Sequence, residues 1–365
     1  MRFLTILGTR PEAIKLAPVI LELQKHLDRV ESLVCVTGQH REMLDDVLKW
    51  FQIEPDYDLN LMHPNQSLAE YSSRSLIAVD KILKRVKPDV VLVQGDTTTV
   101  MMSALAAFYE RIPVGHVEAG LRTRDRYAPF PEEINRRLTG VLATYHFAPT
   151  ERAAAALRHE HVPEDHIFIT GNTVVDALRM TLRRPIDLHL SLKNENSRLI
   201  LVTAHRRESF GLPIESLCLA LRDIVHRNAD VEIVFPVHLN PNVRRPVWRI
   251  LGEEPRIHLL DPLPYGHFVH LMARCYLILT DSGGIQEEAP VLGKPTLVMR
   301  EVTERPEAIE TGVTRLVGTS RARIVMETER LLHDPIAYAN MAQTGSPFGD
   351  GRAAQRIVDI LLRVL

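Results

Sequence analysis

Short runs of apolar residues recur along the chain and alternate with longer stretches in which apolar positions return every three or four residues. The short runs read as buried strands and the longer stretches as amphipathic helices. In the first half the strand candidates are Phe3–Leu7, Leu33–Thr37, Val90–Gln94, Val114–Val117 and Tyr145–Ala148, with helical segments such as Pro11–His26, Leu68–Val86 and Thr98–Tyr109 between them. In the second half they are Leu199–Thr203, Glu232–Pro236, His258–Leu260, Tyr276–Leu279 and Thr296–Met299. Strands that alternate with helices predict parallel sheets with helices on both faces. The alternation happens twice, with a polar break around Arg183–Arg198. Two doubly wound α/β domains are therefore expected, over residues 1–172 and 173–350. A last helix, 351–365, could pack on either domain, and the N-terminal one is its expected partner.

Composition narrows the class. A chain of 365 residues is long enough for two ordinary domains, and 45% hydrophobic with 25% charged residues is typical of a soluble globular protein. A formal net charge of -2 argues against general nucleic-acid binding, which needs a basic footprint. Cys35, Cys218 and Cys275 are too far apart in sequence to form a metal or redox pair, so a reducing cytosol is the simplest compartment. The apolar start, Phe3–Leu7, is too short for a signal peptide, and no apolar run approaches membrane-spanning length.

Ligands of such sheets bind beyond the carboxyl ends of the strands, and candidate polar residues fall at those ends. Arg10 follows the first strand, Asp96 follows Val90–Gln94, Glu118 follows Val114–Val117, His205 follows Leu199–Thr203, and Ser282 follows Tyr276–Leu279. Their shared placement carries more weight than any one of them.

The richest stretch is Thr280-Asp281-Ser282-Gly283-Gly284-Ile285-Gln286-Glu287-Glu288. It reads as a strand end, a tight turn at 281–284 and a helix from Ile285. The glycines let backbone approach a ligand, and the free N–H groups of the helix start suit a diphosphate. The plainer alternative is a glycine turn with Ser or Asp as the N-cap. In Gly8-Thr9-Arg10-Pro11-Glu12-Ala13-Ile14-Lys15, Arg10 and Lys15 can both reach an anion near a helix start, or simply be solvated beside a capped helix. Asp96 stands just before a helix, where N-capping is the usual task of aspartate. Glu118, in His116-Val117-Glu118-Ala119-Gly120, leaves a strand into a small-residue turn, where a partly buried acid needs a partner or a function. Glu132 and Glu133 open another helix; one can favour the helix dipole while the other faces the ligand. His205 can titrate or bind an anion, or be a loop histidine beside two arginines. Arg305 is a loop arginine whose alternative is a solvated salt bridge.

Other chemistries are not supported. Neither a Gly-x-Gly-x-x-Gly fingerprint after a strand nor a P-loop is present. Asp56-Tyr57-Asp58 imitates a metal-binding pair but lies in a polar connection, and His267 and His270 have no third ligand nearby. Ser282 lacks the Gly-x-Ser-x-Gly elbow of a hydrolase nucleophile. No metal and no cofactor is expected.

Ten segments in order, GTRPEAIKLAP, TGQHREML, VQGDTTT, GHVEAGLRT, PFPEEINRRL, ITGNTVVDAL, VTAHRRESFG, FPVHLNPNV, TDSGGIQEEAP and TERPEAIE, span residues 8 to 310. Together they closely resemble the bacterial non-hydrolysing UDP-N-acetylglucosamine 2-epimerases. The resemblance implies two Rossmann-like domains in the glycosyltransferase-B arrangement with the site in the cleft, and a cytoplasmic homodimer. It implies interconversion of UDP-GlcNAc and UDP-ManNAc for cell-surface polysaccharide synthesis. By position it makes Asp96, Glu118, Glu132 and His205 the catalytic set. It makes Arg10, Lys15, Ser282, Gly283, Gly284, Glu288 and Arg305 nucleotide-sugar contacts, with Glu288 on the ribose hydroxyls and Phe268 near the uracil. Some relatives bind a second UDP-GlcNAc as activator, and Gln39, Glu132, Arg206 and His238 match that site. Glu42 and Asn65 stand where those relatives carry glutamine and arginine, and Leu263 stands where some carry glutamine near the base. The competing functions are a UDP-sugar glycosyltransferase, a hydrolysing epimerase and a non-catalytic UDP-sugar sensor. The first leaves the acid cluster of the first half unexplained.

Overall fold

In the computed structural model the apolar runs form two separate parallel sheets, one in each half of the chain. It describes residues 1–38, 41–63, 66–188, 190, 192–194, 196–303, 305–343 and 345–365, without the side chains of 41, 42 and 207. The chain divides into two compact units, Met1–Met180 with Phe348–Leu365, and Thr181–Pro347.

The first unit contains β1 (Arg2–Leu7), β2 (Glu31–Val36), β3 (Tyr57–Asp58), β4 (Val90–Gln94), β5 (Val114–Val117), β6 (Tyr145–Ala148) and β7 (Ile167–Ile169). Their spatial order is β3-β2-β1-β4-β5-β6-β7. Every pairing is parallel, for example Leu4 opposite Leu33 and opposite Val91. All of β4 is buried, as befits a central strand covered on both faces. The sheet grows outward in both directions from the β1/β4 pair. That pair is the switch point at which doubly wound folds leave a crevice at the strand ends.

The second unit repeats the plan with β8 (Arg198–Thr203), β9 (Val231–Pro236), β10 (Ile257–Leu260), β11 (Leu277–Thr280), β12 (Thr296–Val298) and β13 (Thr314–Leu316). Their order is β10-β9-β8-β11-β12-β13, which puts the switch point between β8 and β11. Its core joins Ile200, Val202 and Leu279 from the sheet to Leu217, Leu221 and Ile224 of the Leu212–Arg227 helix. The 3.6-residue repeat of that helix lines up its buried face.

The Ala353–Val364 helix belongs to the first unit and packs on the Arg10–Leu23 helix. Ala353, Ala354, Ile357, Val358 and Leu361 form its buried face. Full burial of Ile357, Val358 and Leu361 alone is worth roughly 5–9 kcal/mol. That is comparable with the whole net stability of an ordinary domain, about 5–15 kcal/mol, so this helix is integral to the first unit. Asp176 accepts from the N–H groups of Ala353 and Ala354 at 3.2 and 3.0 Å, satisfying donors that every helix start leaves open. Burial pushes its carboxyl up to about 6.

Three strands have no counterpart among the sequence expectations: β3, β7 and β13. The Asp56–Asp58 segment is no isolated polar connection. Tyr57–Asp58 pairs with Cys35–Val36, and Asp56 Oδ2 accepts from Val34 N at 2.8 Å. The glycines 283 and 284 also differ from the expected tight turn. They are the first two residues of the Gly283–Glu288 helix, with Ser282 as its extended N-cap residue.

Candidate active site

Arg10, Asp96 and Glu118 all leave the carboxyl ends of β1, β4 and β5, neighbours at the first unit's switch point. The turn after β1 is tied to the turn after β4 by a buried glutamate. Glu12 accepts from Gly8 N at 2.5 Å, Thr9 N at 3.2 Å and Thr97 Oγ1 at 2.5 Å. Thr9 and Glu12 form the capping box of the Arg10–Leu23 helix. The N-cap of the next helix is Thr97, whose hydroxyl accepts from Val100 N at 3.3 Å. Asp96 is therefore not the cap that its position suggested. Its Oδ2 instead takes Arg136 Nη2 at 2.6 Å, and its carbonyl takes Asn135 Nδ2 at 3.0 Å.

Glu118 is 7% exposed and has φ of 63°, a left-handed backbone rare for a residue with a side chain. Such a conformation costs about 1–3 kcal/mol and persists where the surroundings over-determine it. Lys15 Nζ donates to both carboxylate oxygens, at 2.6 and 2.7 Å. Gln94 Nε2 donates to Oε2, and Asn172 Nδ2 donates to Oε1 at 3.1 Å. Lys15, expected as a substrate contact, is also a partner of the buried carboxylate. Next along β5, His116 Nε2 donates to the Gly95 carbonyl at 2.7 Å. Burial lowers His116 to about 4, so it is neutral near pH 7 and pins the Asp96 turn without adding charge.

The helix that begins at Glu132 separates its two acids. Glu133 is 1% exposed and accepts from Thr123 N and Arg124 N at 3.0 and 3.2 Å, which commits it to the loop beneath. Glu132 is only partly buried.

In the second unit, His205 follows β8 and Asp281 follows β11, again neighbours at the switch point. Asp281 is fully buried, and its Oδ2 accepts from His205 N, Arg206 N and Ser209 Oγ at 2.9, 2.9 and 3.0 Å. His205 Nδ1 lies 3.1 Å from Oδ1. Burial opposes ionisation of Asp281, but its contact with His205 and the two backbone donors outweigh it and hold the carboxyl below its ordinary value. The His205 ring faces that of His238, with centroids 6.0 Å apart.

Around Gly283 the charge is positive. A Cβ there would stand 3.4 Å from Arg206 Nη2 and 3.6 Å from the Arg305 guanidinium. Arg305 is held by Glu287 at 2.7 Å; Glu287 is 1% exposed and Arg305 is partly buried, so the pair is not freely solvated. Thr303 Oγ1 completes the brace, donating to Gln286 Oε1 at 2.6 Å and accepting from Arg305 N at 3.1 Å. Two guanidinium groups beside a glycine at a helix start suit a diphosphate. Glu288 is buried and accepts from Tyr265 Oη at 3.3 Å, while Phe268 and Leu263 are partly exposed nearby in sequence, on and just before the Tyr265–Arg274 helix. Gln39, Asn65 and the side chain of Glu42 lie outside the described residues.

Sequence reasoning assigned no role to His116, Gln94, Arg136, Asn172 or Asp281 as partners of the site. Each stands inside a segment already singled out; His116 and Gln94 are two residues from a candidate, Arg136 is four away and Asp281 is next to Ser282. Their local patterns carried no sign of the distant groups that they meet.

A family model described as UDP-N-acetylglucosamine 2-epimerase matches residues 22–362. The chain belongs to this family. It is 56% identical over 370 residues to the UDP-N-acetylglucosamine 2-epimerase of Salmonella typhimurium, covering 99% of this chain and 98% of that one. Among solved structures, the Neisseria meningitidis UDP-GlcNAc 2-epimerase bound to UDP-GlcNAc matches with TM-score 0.93 and 49% identity, covering 100% of both chains. The Methanocaldococcus jannaschii UDP-GlcNAc 2-epimerase in complex with UDP-GlcNAc and UDP matches with TM-score 0.83 and 36% identity, again over 100% of both. The fold class expected from the sequence, two Rossmann-like α/β units of the glycosyltransferase-B class, is the one this epimerase family shares.

Glu12 gives a pH-dependent prediction. Burial raises its carboxyl from 4.5 to about 7. The folded state then binds this proton more tightly than the unfolded chain does. The resulting stability is fully present below about 4.5 and is lost as pH rises through about 7. Relative to Glu12→Gln, the wild type is expected to lose stability across that window in urea denaturation. Parallel stability curves for the two proteins would contradict it.

Proposed function

We propose that this chain interconverts UDP-GlcNAc and UDP-ManNAc by non-hydrolytic epimerisation at C-2 of the sugar. The observation that carries the reading is the family match over residues 22–362. The acid set of the first unit, with Glu118 buried and Asp96 and Glu132 partly exposed, and the paired arginines of the second support it. The chemistry needs both. The C-2 proton has no neighbouring carbonyl to acidify it, so direct abstraction is very slow. Cleavage of the anomeric C–O bond, with UDP taking the electron pair, leaves an oxocarbenium-like centre and a much more acidic C-2 proton. Arg10, His205, Arg305 and the Ser282–Gly284 backbone stabilise the charge developing on UDP. A carboxylate takes the proton, and the C–H electrons become the C1–C2 double bond of 2-acetamidoglucal. Protonation of C-2 from the other face and return of the UDP oxygen to C-1 complete the inversion. Groups on both faces are required, and Asp96, Glu118 and Glu132 are the carboxylates we assign. Lys15 acts here by holding Glu118, and Glu288 and Phe268 take the nucleoside. Arg206, which also borders Gly283 beside Arg305, and His238 match the residues with which some relatives bind a second nucleotide sugar.

The test is proton NMR with UDP-GlcNAc in heavy water and no added cofactor. UDP-ManNAc deuterated at C-2 is expected. Free ManNAc with UDP would instead assign a hydrolysing epimerase, and turnover only with an added sugar acceptor would assign a transferase.

A cytoplasmic homodimer completes the proposal. Ile77, Phe108, Tyr109, Leu138 and Val141 are exposed apolar residues on three helices that pack side by side, Leu68–Val86, Thr98–Tyr109 and Glu132–Leu142. Apolar surface of this kind favours a protein partner. A monomer mass by light scattering at micromolar concentration would overturn it. Among the described residues no helix is long and apolar enough to cross a membrane, and all three cysteines are buried thiols.

A further inference from the structure

We propose that Asn172 is a positioning residue for Glu118, fixing its carboxylate for proton transfer at C-2. The inference rests on the epimerase reading above and adds a member to its machinery. Asn172 lies in the Gly171-Asn172-Thr173 turn between β7 and the Thr173–Leu182 helix, and is 2% exposed. It is 54 residues from Glu118 in sequence, yet its Nδ2 donates to Glu118 Oε1 at 3.1 Å.

The orientation of the amide follows from its other contacts. Asn172 Oδ1 accepts from Val174 N at 3.1 Å, and a backbone N–H can only donate. The oxygen must therefore face Val174, which leaves the NH2 group to face the carboxylate. The backbone is fixed as well, since Asn172 N donates to the Phe348 carbonyl at 2.6 Å. Helix start and carboxylate thus meet on the Asn172 side chain, and the returning C-terminal segment meets its backbone.

Glu118 needs such a support. Lys15 contacts both oxygens through one flexible ammonium, which balances the charge but does not define the carboxylate plane. Among the described residues, Gln94 Nε2 on Oε2 and Asn172 Nδ2 on Oε1 are the two donors with fixed direction, one for each oxygen. Gln94 is rigid at the end of the central strand β4. Asn172 is its counterpart from the far side of the sheet order, where β7 is the edge. Without it the carboxylate can turn about its last torsion while keeping its contact with the Lys15 ammonium. A displacement of about 1 Å at a reacting group can lower turnover about a hundredfold.

The test compares Asn172→Ser and Asn172→Asp with wild type. Serine retains an oxygen for Val174 N but cannot reach Glu118. Aspartate retains shape and the Val174 contact but turns an acceptor towards the carboxylate. In N172S, kcat and C-2 deuterium incorporation are expected to fall together about ten- to a hundredfold. KM for UDP-GlcNAc is expected to stay within about threefold and the thermal midpoint near wild type. N172D is expected to be slower still; should it fail to fold, N172S carries the test. Wild-type kcat in folded N172S would overturn the proposal, as would a loss confined to KM or to stability. A second readout does not depend on turnover. In protein labelled with 13C at the glutamate side-chain carboxyls, the resonance missing from Glu118→Gln identifies Glu118. N172S is expected to shift that resonance, and an unmoved resonance overturns the contact itself. If the wild type fails to epimerise, the epimerase reading fails, and the resonance still decides whether Asn172 holds Glu118.

Discussion

Glu118→Gln is expected to lower epimerase turnover at least about a hundredfold, the usual scale for a group that moves a proton in the transition state. The amide has the shape of the carboxylate but cannot accept the C-2 proton. It also removes the negative charge that Lys15 Nζ meets at 2.6 Å. Breaking a buried pair from one side costs about 3–5 kcal/mol because the other charge is left uncompensated. Rates must therefore be normalised to folded protein, measured by UDP binding. Glu132→Gln is expected on the same scale without that burden on the fold, since Glu132 is only partly buried, while Asp96→Asn removes the charge that the buried Arg136 meets at 2.6 Å and needs the same normalisation. Wild-type turnover in all three variants, followed by the NMR assay, would remove the carboxylates from the mechanism.

Gly120→Ala is expected to damage the fold more than any neighbouring change. Gly120 has φ of 90°, and a Cβ there would stand 2.2 Å from the Ala153 carbonyl oxygen and 2.7 Å from its carbon. Both atoms are backbone of the Glu151–His159 helix, so no side chain can swing away. Left-handed backbone strain and overlap together cost at least about 3 kcal/mol. For a unit of this size that lowers the thermal midpoint by roughly 6–12 °C. The damage reaches the site, because Gly120 is two residues from Glu118 and Ala119 N donates to Phe147 O at 3.1 Å in between. A midpoint within about 2 °C of wild type would mean that the Ala153 turn yields, and that the loop after β5 is softer than its contacts imply.

The central strands were legible because they are buried on both faces. Val90–Gln94, Val114–Val117 and Tyr145–Ala148 appear at the residues their apolar runs mark. Tyr57–Asp58, Ile167–Ile169 and Thr314–Leu316 escaped notice, and all three are edge strands of only two or three residues. An edge strand half in contact with water needs no apolar run. The same logic separates what was legible in the site from what was not. Candidates at strand ends could be found because topology alone sends them to the switch point. Their partners could not. Lys15 and Glu118 are 103 residues apart, and Asp281 meets His205 across 76. Asp96 misled for a related reason. Its position before a helix is that of a cap, but Thr97 fills that role and the carboxylate is drawn to Arg136, 40 residues away.

The order in which the chain is synthesised gives its last helix a further meaning. The second unit, Thr181–Pro347, lies wholly inside the sequence of the first. When a ribosome has added residue 347, every residue of the second unit exists, while the first still lacks Phe348–Leu365. Until those residues emerge, the Arg10–Leu23 helix has no covering for one of its faces, and Asn172 has no Phe348 carbonyl to bind. The half of the protein that is begun first is therefore the half completed last, and the seat of Glu118 is among the final pieces to be set.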